Sequence, residues 1–342
     1  MVLKNNRKLK RSVALTSNWH IRHKKKMQLL KKRYAVSPFA GLLLFSCGND
    51  TGSDSDSVSV PTIITVPISG NAIKGPLQNA LAFADEDGDG VQGPDEPSAL
   101  TKSDGSFSFN ASNSETKVIV KTSENTIDTS SGEILSGVTL SAPPGSSVIS
   151  PASTILEAQP DIKPEQLAIA LGVPISAADG SPIDLLNFNP FSPDADPEAA
   201  LAVEKAGQQV MVTVQAVSAA AEGAGMDVEA AFEVAMASIS EVVAEEAEKI
   251  DTSSAGSIAA AEAAVAAGTG PKVDFSDSAL LEDVSTSVKT LVTKIAAEDN
   301  TITIDESAFS TVLDTAVTAV ENVNAAIAEI TDTDLTSTDS KG

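Results

Sequence analysis

The chain has 342 residues, a formal net charge of −24 and only 4% aromatic residues. Every Arg, His, Trp and Tyr lies within the first 46 residues, so the rest of the chain carries 47 acids against 11 lysines, a formal charge of −36. This inventory argues against His-dependent acid–base catalysis, against a zinc site, and against nucleic-acid binding, because the last needs a cationic surface.

Residues 1–46 are predicted to be a signal peptide. A basic patch precedes an apolar run over 34–45, which is too short to span a membrane and lies just before Cys47, the only cysteine. Met27 begins a segment of conventional signal length and is the expected true start. The Leu-x-Ser-Cys ending resembles a bacterial lipoprotein signal, which implies a lipidated Cys47 in the cell envelope, at the outer membrane or cell surface. An ordinary signal peptide or membrane anchor with an incidental cysteine is the alternative.

The next two segments differ in composition. Residues 47–61 are small and polar with no apolar periodicity, which indicates a flexible lipidated tether. Residues 62–142 carry short runs of β-branched and aromatic residues separated by Gly, Asn and Pro, which predict a small antiparallel β-sandwich. The predicted strands are Ile63–Val66, Ala80–Ala84, Ser106–Phe109 and Lys117–Lys121.

An acidic loop, Asp85–Glu96, has the layout of a calcium site. Carboxylates stand at the first, third and fifth loop positions, which are Asp85, Asp87 and Asp89. Gly90 stands where the backbone must turn, and Glu96 stands at the last position, where a bidentate ligand closes the shell. The flanking residues are typical of a strand on one side and include a proline on the other, so no calmodulin-like pair of helices is expected. A solvated acidic turn is the alternative, because the chain is acidic throughout.

Residues 70–109 resemble the B-repeats of serine-aspartate surface adhesins and the related carboxypeptidase-regulatory (transthyretin-like) domains. The matching residues are Gly75–Ala80, the acidic loop and Thr101–Phe109. The resemblance implies a calcium ion bound between strands. The ligands that it implies are Asp85, Asp87, Asp89, the carbonyl of Val91, and Glu96. The family often has an acidic or amide residue where Gly93 stands in this chain, which implies a weaker site.

Residues 143–193 are predicted to connect the β region to a helical region. The run Leu140–Leu156 resembles the segment that follows such sandwiches in large bacterial surface and adhesin-like proteins, and so does Gln166–Val173. This resemblance implies a surface location and no particular activity.

Residues 194–330 shift to an alanine-rich helical composition. Asp196, followed by a proline, predicts one helix start, and Asp227 predicts another. Apolar residues at the spacing of one helix face follow over 280–295 and 309–330. These two stripes predict the core of a helical bundle, and a surface for docking a partner is the alternative.

Together these observations predict a multidomain α+β protein, with an N-terminal small antiparallel β-sandwich, then an Ala-rich α-helical bundle, and a disordered leader and tail (331–342). The expected function is non-enzymatic: a lipid-anchored cell-envelope or surface protein with a calcium-stabilised, adhesin-like β domain, held to the membrane through Cys47. One alternative is a periplasmic or secreted binding protein whose helical domain captures a ligand or partner. Another is a carboxylate-based hydrolase, which the lack of Trp and Tyr sugar platforms disfavours.

Overall fold

The computed structural model describes residues 65–298 and 306–330, and it confirms the α+β class. Strands occupy the first part of the described chain, and helices occupy the second part. The predicted signal peptide, Cys47, the tether and the polar tail lie outside the described residues.

Within the described residues, the strands are short and all precede the helices. In chain order they are Val66–Ala72 (β1), Leu77–Gln78 (β2), Leu81–Asp85 (β3), Ser98–Leu100 (β4), Ser106–Ala111 (β5), Lys117–Lys121 (β6), Ile127–Asp128 (β7), Glu133–Ile134 (β8), Thr139–Ala142 (β9) and Val148–Ile149 (β10). Three predicted strands are confirmed as β3, β5 and β6, with ends within two residues of those expected. The fourth overlaps the described chain at Val66, the first residue of β1.

The strands form three small sheets, in the orders β10-β1-β5, β2-β7-β8 and β4-β3-β6-β9. Each pairing is antiparallel except that of β1 with β10, which is parallel and departs from the predicted antiparallel arrangement. The exception arises because the chain leaves the four-stranded sheet after β9, turns at 143–147 and forms β10 beside β1, running in the same direction as β1. There the carbonyl of Ser147 accepts a hydrogen bond from the amide of Asn71 at 2.8 Å.

The sheets β10-β1-β5 and β4-β3-β6-β9 bury a common apolar core. Burial alternates along β5, so Phe107 and Phe109 both face the core, where their rings stack with centroids 5.7 Å apart. The middle residues of β3 and β6 are buried on both faces. Burying one Phe or Val side chain contributes about 1.5–3 kcal/mol, so these two central strands are rigid supports for the residues at their ends.

Helices follow the last strand, and local signals start them. They are Pro151–Ala158 (α1), Pro164–Ala170 (α2), Pro197–Gly223 (α3), Val228–Ala247 (α4), Ala255–Ala266 (α5), Ser278–Glu298 (α6) and Glu306–Glu329 (α7). The predicted caps are confirmed, because Asp196 and Asp227 each accept a backbone hydrogen bond at 3.0 Å from the third residue of the helix. Within the described ranges, no helix combines the length and apolar character needed to cross a membrane.

Packing continues without a break from the sheets to the helices. α3 packs against α4 and α7, α4 packs against α6, and α6 packs against α7. α4 also contacts α1, α2 and β9, and one cluster of buried apolar side chains includes residues from all of these elements. The predicted connection 143–193 contributes β10, α1 and α2 to this core. The sequence predicted separate β and helical domains, and this division stays a prediction. The buried apolar core includes residues on both sides of the boundary expected between them.

The apolar stripe of α7 is confirmed at Phe309, Leu313 and Val320, which are buried. It is wrong at Val323, which is 46% exposed, while the neighbouring Asn324 is fully buried. The helical period of 3.6 residues carries the contact face from Val320 to Asn324, so a polar residue completes this face.

Candidate metal centre

The acidic loop is the connection of a β-hairpin. β3 and β4 pair antiparallel, with Phe83 opposite Ser98 as their last registered pair, and the loop runs between them. The amide of Ala84 donates to the carbonyl of Pro97 at 3.0 Å, which closes the base of the loop. Strands on both sides confirm that the loop does not belong to a pair of helices. Both ends of the loop are therefore fixed to the buried four-stranded sheet.

Three carboxylates converge inside this loop. Asp85, Asp87 and Asp89 each offer an oxygen, and these oxygens lie within 4.8 Å of one another. Asp85 is buried, Asp89 is half-buried and Asp87 is exposed, so the group extends from the end of β3 to the solvent. Gly90 has a φ of 74°, a left-handed conformation that favours glycine, at the position where the sequence predicted a sharp turn.

Backbone amides of the loop hold these carboxylates in place. Asp85 Oδ1 accepts from the amide of Gly90 at 3.2 Å, Asp87 Oδ1 from the amide of Asp89 at 3.0 Å, and Asp89 Oδ1 from the amide of Val91 at 2.7 Å. Each bond links a carboxylate to the backbone of a later residue in the loop, so the chain curls around the acidic group. Val91, expected to offer its carbonyl, is tied to the group through its amide, and its ligand role stays a prediction.

Glu96 lies outside the group of three. Its Oε1 accepts from the amides of Glu86 and Asp87 at 2.8 and 3.4 Å, and its Oε2 accepts from the amide of Gly93 at 2.7 Å. The residue expected to close a metal shell thus spans the loop and connects its end to its beginning. Its predicted role as a ligand stays a prediction.

The pKa of Asp89 reflects both its burial and its closeness to the other two carboxylates. Burial raises the pKa of this carboxyl, and the nearby charges of Asp87 and Asp85 raise it further, while the hydrogen bond from Val91 opposes the rise. A bound cation would remove this repulsion. Because the donors are carboxylate oxygens, the group suits a hard cation such as calcium or magnesium better than a soft transition metal.

Asp85 carries an oxygen that no hydrogen bond satisfies. Its Oδ2 is buried and has no hydrogen-bond partner among the described residues, although Nζ of Lys117 lies 3.0 Å away as an ion pair. The ammonium of Lys117 compensates the charge of this buried oxygen but forms no hydrogen bond with it, so a metal ion would be an alternative cationic partner. The three carboxylates could therefore hold a metal ion. Lys117 was not expected at this site, because its place depends on the pairing of β3 with β6, which no local pattern reveals.

A second polar cluster, also missed by sequence reasoning, lies where the sheets meet α3. Burial alone would raise the pKa of Asp128, but hydrogen bonds from Lys74 and Ser130 lower it below the ordinary value of an aspartate. Burial raises the pKa of Glu204 to about 7, and the negative charge of Asp128 contributes to this rise. Lys74 and Gln208 act in the opposite direction and lower the pKa. One carboxyl group is thus held ionised and its neighbour is partly protonated near neutral pH.

The described residues also form two open clefts. One of about 480 Å³ lies among the loops of residues 177–196 and is lined mainly by polar and small side chains. The other, of about 310 Å³, lies between α3, the end of α2 and the loop 272–276, and Lys205 and Lys272 line it. Neither cleft contains a residue of the acidic loop.

Comparison with known proteins assigns no family to the chain. No family model, curated protein or solved structure matches it. The resemblances to surface-adhesin repeats and to lipoprotein signals therefore stay predictions. The geometry of the acidic loop is the observation that bears most directly on function.

Proposed function

We propose that this chain is a non-enzymatic, lipid-anchored protein of the bacterial cell envelope, stabilised by a calcium ion bound in the loop Asp85–Glu96. The proposal is supported above all by the convergence of three aspartate carboxylates on a hairpin whose ends are fixed to a buried sheet. The formal charge of −36 after residue 46 supports it too, since self-repulsion of this size opposes compaction and bound cations reduce it.

Calcium is the ion that fits this donor set best. It takes about six to eight oxygen ligands in flexible geometry, whereas magnesium demands a near-octahedral shell and keeps several waters. Carboxylates of unequal exposure on an irregular loop suit the flexible shell. Extracellular calcium modules have Kd values of about 10⁻⁴ to 10⁻³ M, and the absence of a side chain at Gly93 supports an affinity at that weak end.

The bound ion would stabilise the β region. The pKa of Asp89 is raised by burial and further by the charges of Asp87 and Asp85; the ion would neutralise those charges, and it would give the buried oxygen of Asp85 a ligand bond. An ion present at about 100 times its Kd stabilises the folded state by about 2.7 kcal/mol, and at the weak affinity expected here the gain is nearer to 1 kcal/mol. The β region would therefore be most stable outside the cell, where calcium is abundant.

Thermal unfolding with and without calcium tests the metal site. Asp87→Asn removes one charge of the group but keeps the oxygen that accepts the amide of Asp89. We expect it to lose most of the calcium-induced rise in Tm seen in the wild type, with magnesium as the comparison ion. Asp95→Asn is the matched control, because Asp95 is an exposed acid of the same loop outside the group of three. Equal calcium responses of wild type and Asp87→Asn would mean that the loop is only an acidic turn.

Anchoring through Cys47 rests on the sequence. Each buried acyl methylene contributes about 0.8 kcal/mol, so the several acyl chains of a lipoprotein bind a membrane far more firmly than one chain does. Cys47→Ala should release the protein from membranes or leave its signal peptide attached, and intact-mass analysis of the membrane fraction reports both. Normal cleavage with unchanged membrane association would contradict the proposal.

Capture of a ligand by the helices, which we propose to form a bundle, is the second candidate function. The cleft of about 310 Å³ favours it, because the volume falls in the range of small-ligand sites and two lysines line the cleft in an otherwise acidic chain. Lys205 Nζ donates to the carbonyls of Ala328 and Ile330 at 2.7 and 3.0 Å, so it also fixes the end of α7. A screen of small carboxylate compounds for shifts in Tm, repeated with Lys272→Ala, tests this function.

A further inference from the structure

We propose that Lys117 competes with the metal ion for Asp85 and moves to Glu157 in α1 when the ion binds. The inference rests on the calcium site proposed above and adds to it a residue that sets the affinity. It also predicts that the occupancy of the loop is transmitted to the first helix. The argument depends on one buried oxygen and on the two acids that lie near one ammonium group.

The sheet register delivers Lys117 to the acidic loop. Asp85 is the last residue of β3 and Lys117 the first residue of β6, and the two lie directly opposite each other in the antiparallel pair. Asp85 Oδ1 accepts a hydrogen bond from the amide of Gly90, whereas the buried Oδ2 accepts none from the described residues and keeps both of its lone pairs for a cation. Nζ of Lys117 lies 3.0 Å from this Oδ2. The ammonium therefore occupies the buried oxygen of Asp85 that is otherwise open to a cation.

Lys117 has a second anionic neighbour on another element. Its Nζ lies 3.8 Å from Oε1 of Glu157, and the two side chains are 14% and 21% exposed. α1 is held firmly, because Ser150 and Ser153 form reciprocal capping hydrogen bonds at its start and the helix packs against β9. A long lysine side chain can pass from one carboxylate to the other by rotation about its own bonds.

Competition follows from charge. Without a metal ion, the ammonium of Lys117 compensates the buried carboxylate of Asp85, which would otherwise be an unpaired charge in the protein interior. A divalent cation on the same oxygen would repel the ammonium, and Glu157 would receive it. Binding of the ion thus includes the work of displacing Lys117, which lowers the affinity of the loop. By linkage, a stronger contact between Lys117 and Glu157 favours the ion by the same factor.

Calcium titrations of three single variants test this arrangement, with the full chain and isothermal titration calorimetry. Coupling between sites typically changes affinity by about 5- to 150-fold, and we expect Lys117→Met to bind calcium about fivefold more tightly than the wild type. Lys117→Arg keeps the positive charge and should keep the wild-type affinity within about twofold. Glu157→Gln removes the second partner of the lysine and should weaken binding by about fivefold, the lower end of that range.

The double variant Lys117→Met/Glu157→Gln separates competition from a simple effect of charge. If Glu157 acts only by receiving Lys117, the double variant should bind calcium as tightly as Lys117→Met does. If the loss caused by Glu157→Gln persists in the Lys117→Met background, Glu157 is merely a nearby anion and the proposed movement is wrong.

The outcomes also distinguish failure of this inference from failure of the calcium site itself. A wild-type chain that binds no calcium would overturn the site and the inference together. A wild type that binds calcium, with equal or weaker binding by Lys117→Met, would overturn the inference alone. Circular dichroism in millimolar calcium checks whether Lys117→Met is folded. If Lys117→Met is unfolded, the test depends on Glu157→Gln: a folded Glu157→Gln variant with wild-type calcium affinity would overturn the inference.

Discussion

Lys74 and Asp128 form a buried ion pair where the small sheet β2-β7-β8 meets α3, with Nζ 2.9 Å from Oδ2. Asp128 is 1% exposed and also accepts hydrogen bonds from the amide and the hydroxyl of Ser130. The carbonyl of Lys74 accepts from Nε2 of Gln208 at 2.9 Å, and Glu204, one turn earlier on α3, adds a second carboxyl group. A cluster of charged and polar side chains therefore lies at the junction between this sheet and α3.

Breaking this pair should destabilise the fold strongly. Asp128→Asn leaves the ammonium of Lys74 without its charged partner, and loss of one member of a buried pair costs about 3–5 kcal/mol of unfolding free energy. Since Lys74 keeps 15% of its side chain exposed, we expect about 3 kcal/mol in urea denaturation. Asp179→Asn is the matched control, because Asp179 makes the same two bonds to Ser181 on the surface without a lysine. Equal small losses in both variants would show that the pair contributes little.

Glu204 should make stability fall as the pH rises towards neutrality. Its pKa is about 7 in the folded protein against an ordinary glutamate value of 4.5, so between these values the folded state binds more protons than the unfolded state. The folded state therefore loses stability from pH 4.5 to pH 7, and the loss is complete above pH 7. The lowered pKa of Asp128 has the opposite effect on stability: the stability that Asp128 contributes is lost only as the pH falls below 3.8.

Glu204→Gln should remove this dependence. The neutral side chain of the same shape needs no proton, so the variant should gain about 2 kcal/mol at pH 8, less than the full linkage value because Glu204 keeps some contact with solvent. Urea denaturation at pH 5 and pH 8 measures the difference. Glu282→Gln, on an exposed position of α6, should leave the pH profile unchanged. A profile of Glu204→Gln parallel to that of the wild type would contradict the prediction.

Features that depend on neighbouring residues could be predicted from the sequence. The starts of α3 and α4 were predictable because a cap bonds to an amide three residues away. The curl of the acidic loop was predictable for the same reason, since Gly90 follows Asp85 by five residues and their hydrogen bond lies within the loop. The sequence therefore predicted the turn at which the carboxylates of Asp85, Asp87 and Asp89 come together.

Features that depend on strand register or helix packing could not be predicted. Lys117 meets Asp85, and Lys74 meets Asp128 from 54 residues away, only because of how the strands pair. Glu96 was expected among the ligands from its position; its Oε1 accepts hydrogen bonds from backbone amides at the beginning of the loop, and its ligand role stays a prediction. In α7 the apolar pattern alone favoured Val323, whereas the packing of α3 and of Phe275 around that helix buries Asn324.

Asn324 should be a point of specific packing between α7 and α3. Its Nδ2 donates to Oγ1 of Thr213 at 2.9 Å and to the carbonyl of Phe275 at 3.2 Å, and all of these groups are buried. Asn324→Ala leaves the Phe275 carbonyl without this donor, which should cost about 1–3 kcal/mol of unfolding free energy. Asn322→Ala, two residues away and exposed, should cost far less. Chemical denaturation of both variants measures the difference, and equal losses would contradict a specific role for Asn324.

The region 194–330 should be much less stable alone than within the whole described chain. Its helix α4 packs against α1 and α2, and Lys121 of β6 bonds Glu229 at the start of α4 at 2.6 Å. The amide of Val273 donates to the carbonyl of Ala170 at 2.7 Å, and Nε2 of Gln166 donates to the carbonyl of Ile250 at 2.9 Å. Excision of 194–330 breaks all of these contacts and exposes the face of α4 that α1 and α2 cover.

Three fragments measure this dependence: 65–330, 143–330 and 194–330. Each large apolar side chain returned to water costs about 1.5–3 kcal/mol, so 194–330 should lose at least about 3 kcal/mol of unfolding free energy relative to 65–330. The fragment 143–330 keeps α1 and α2 and should recover much of that loss, because these helices cover α4 directly. Urea denaturation followed by circular dichroism gives the three values. Equal stability of 194–330 and 65–330 would instead show that the helices form a self-contained domain despite the continuous core.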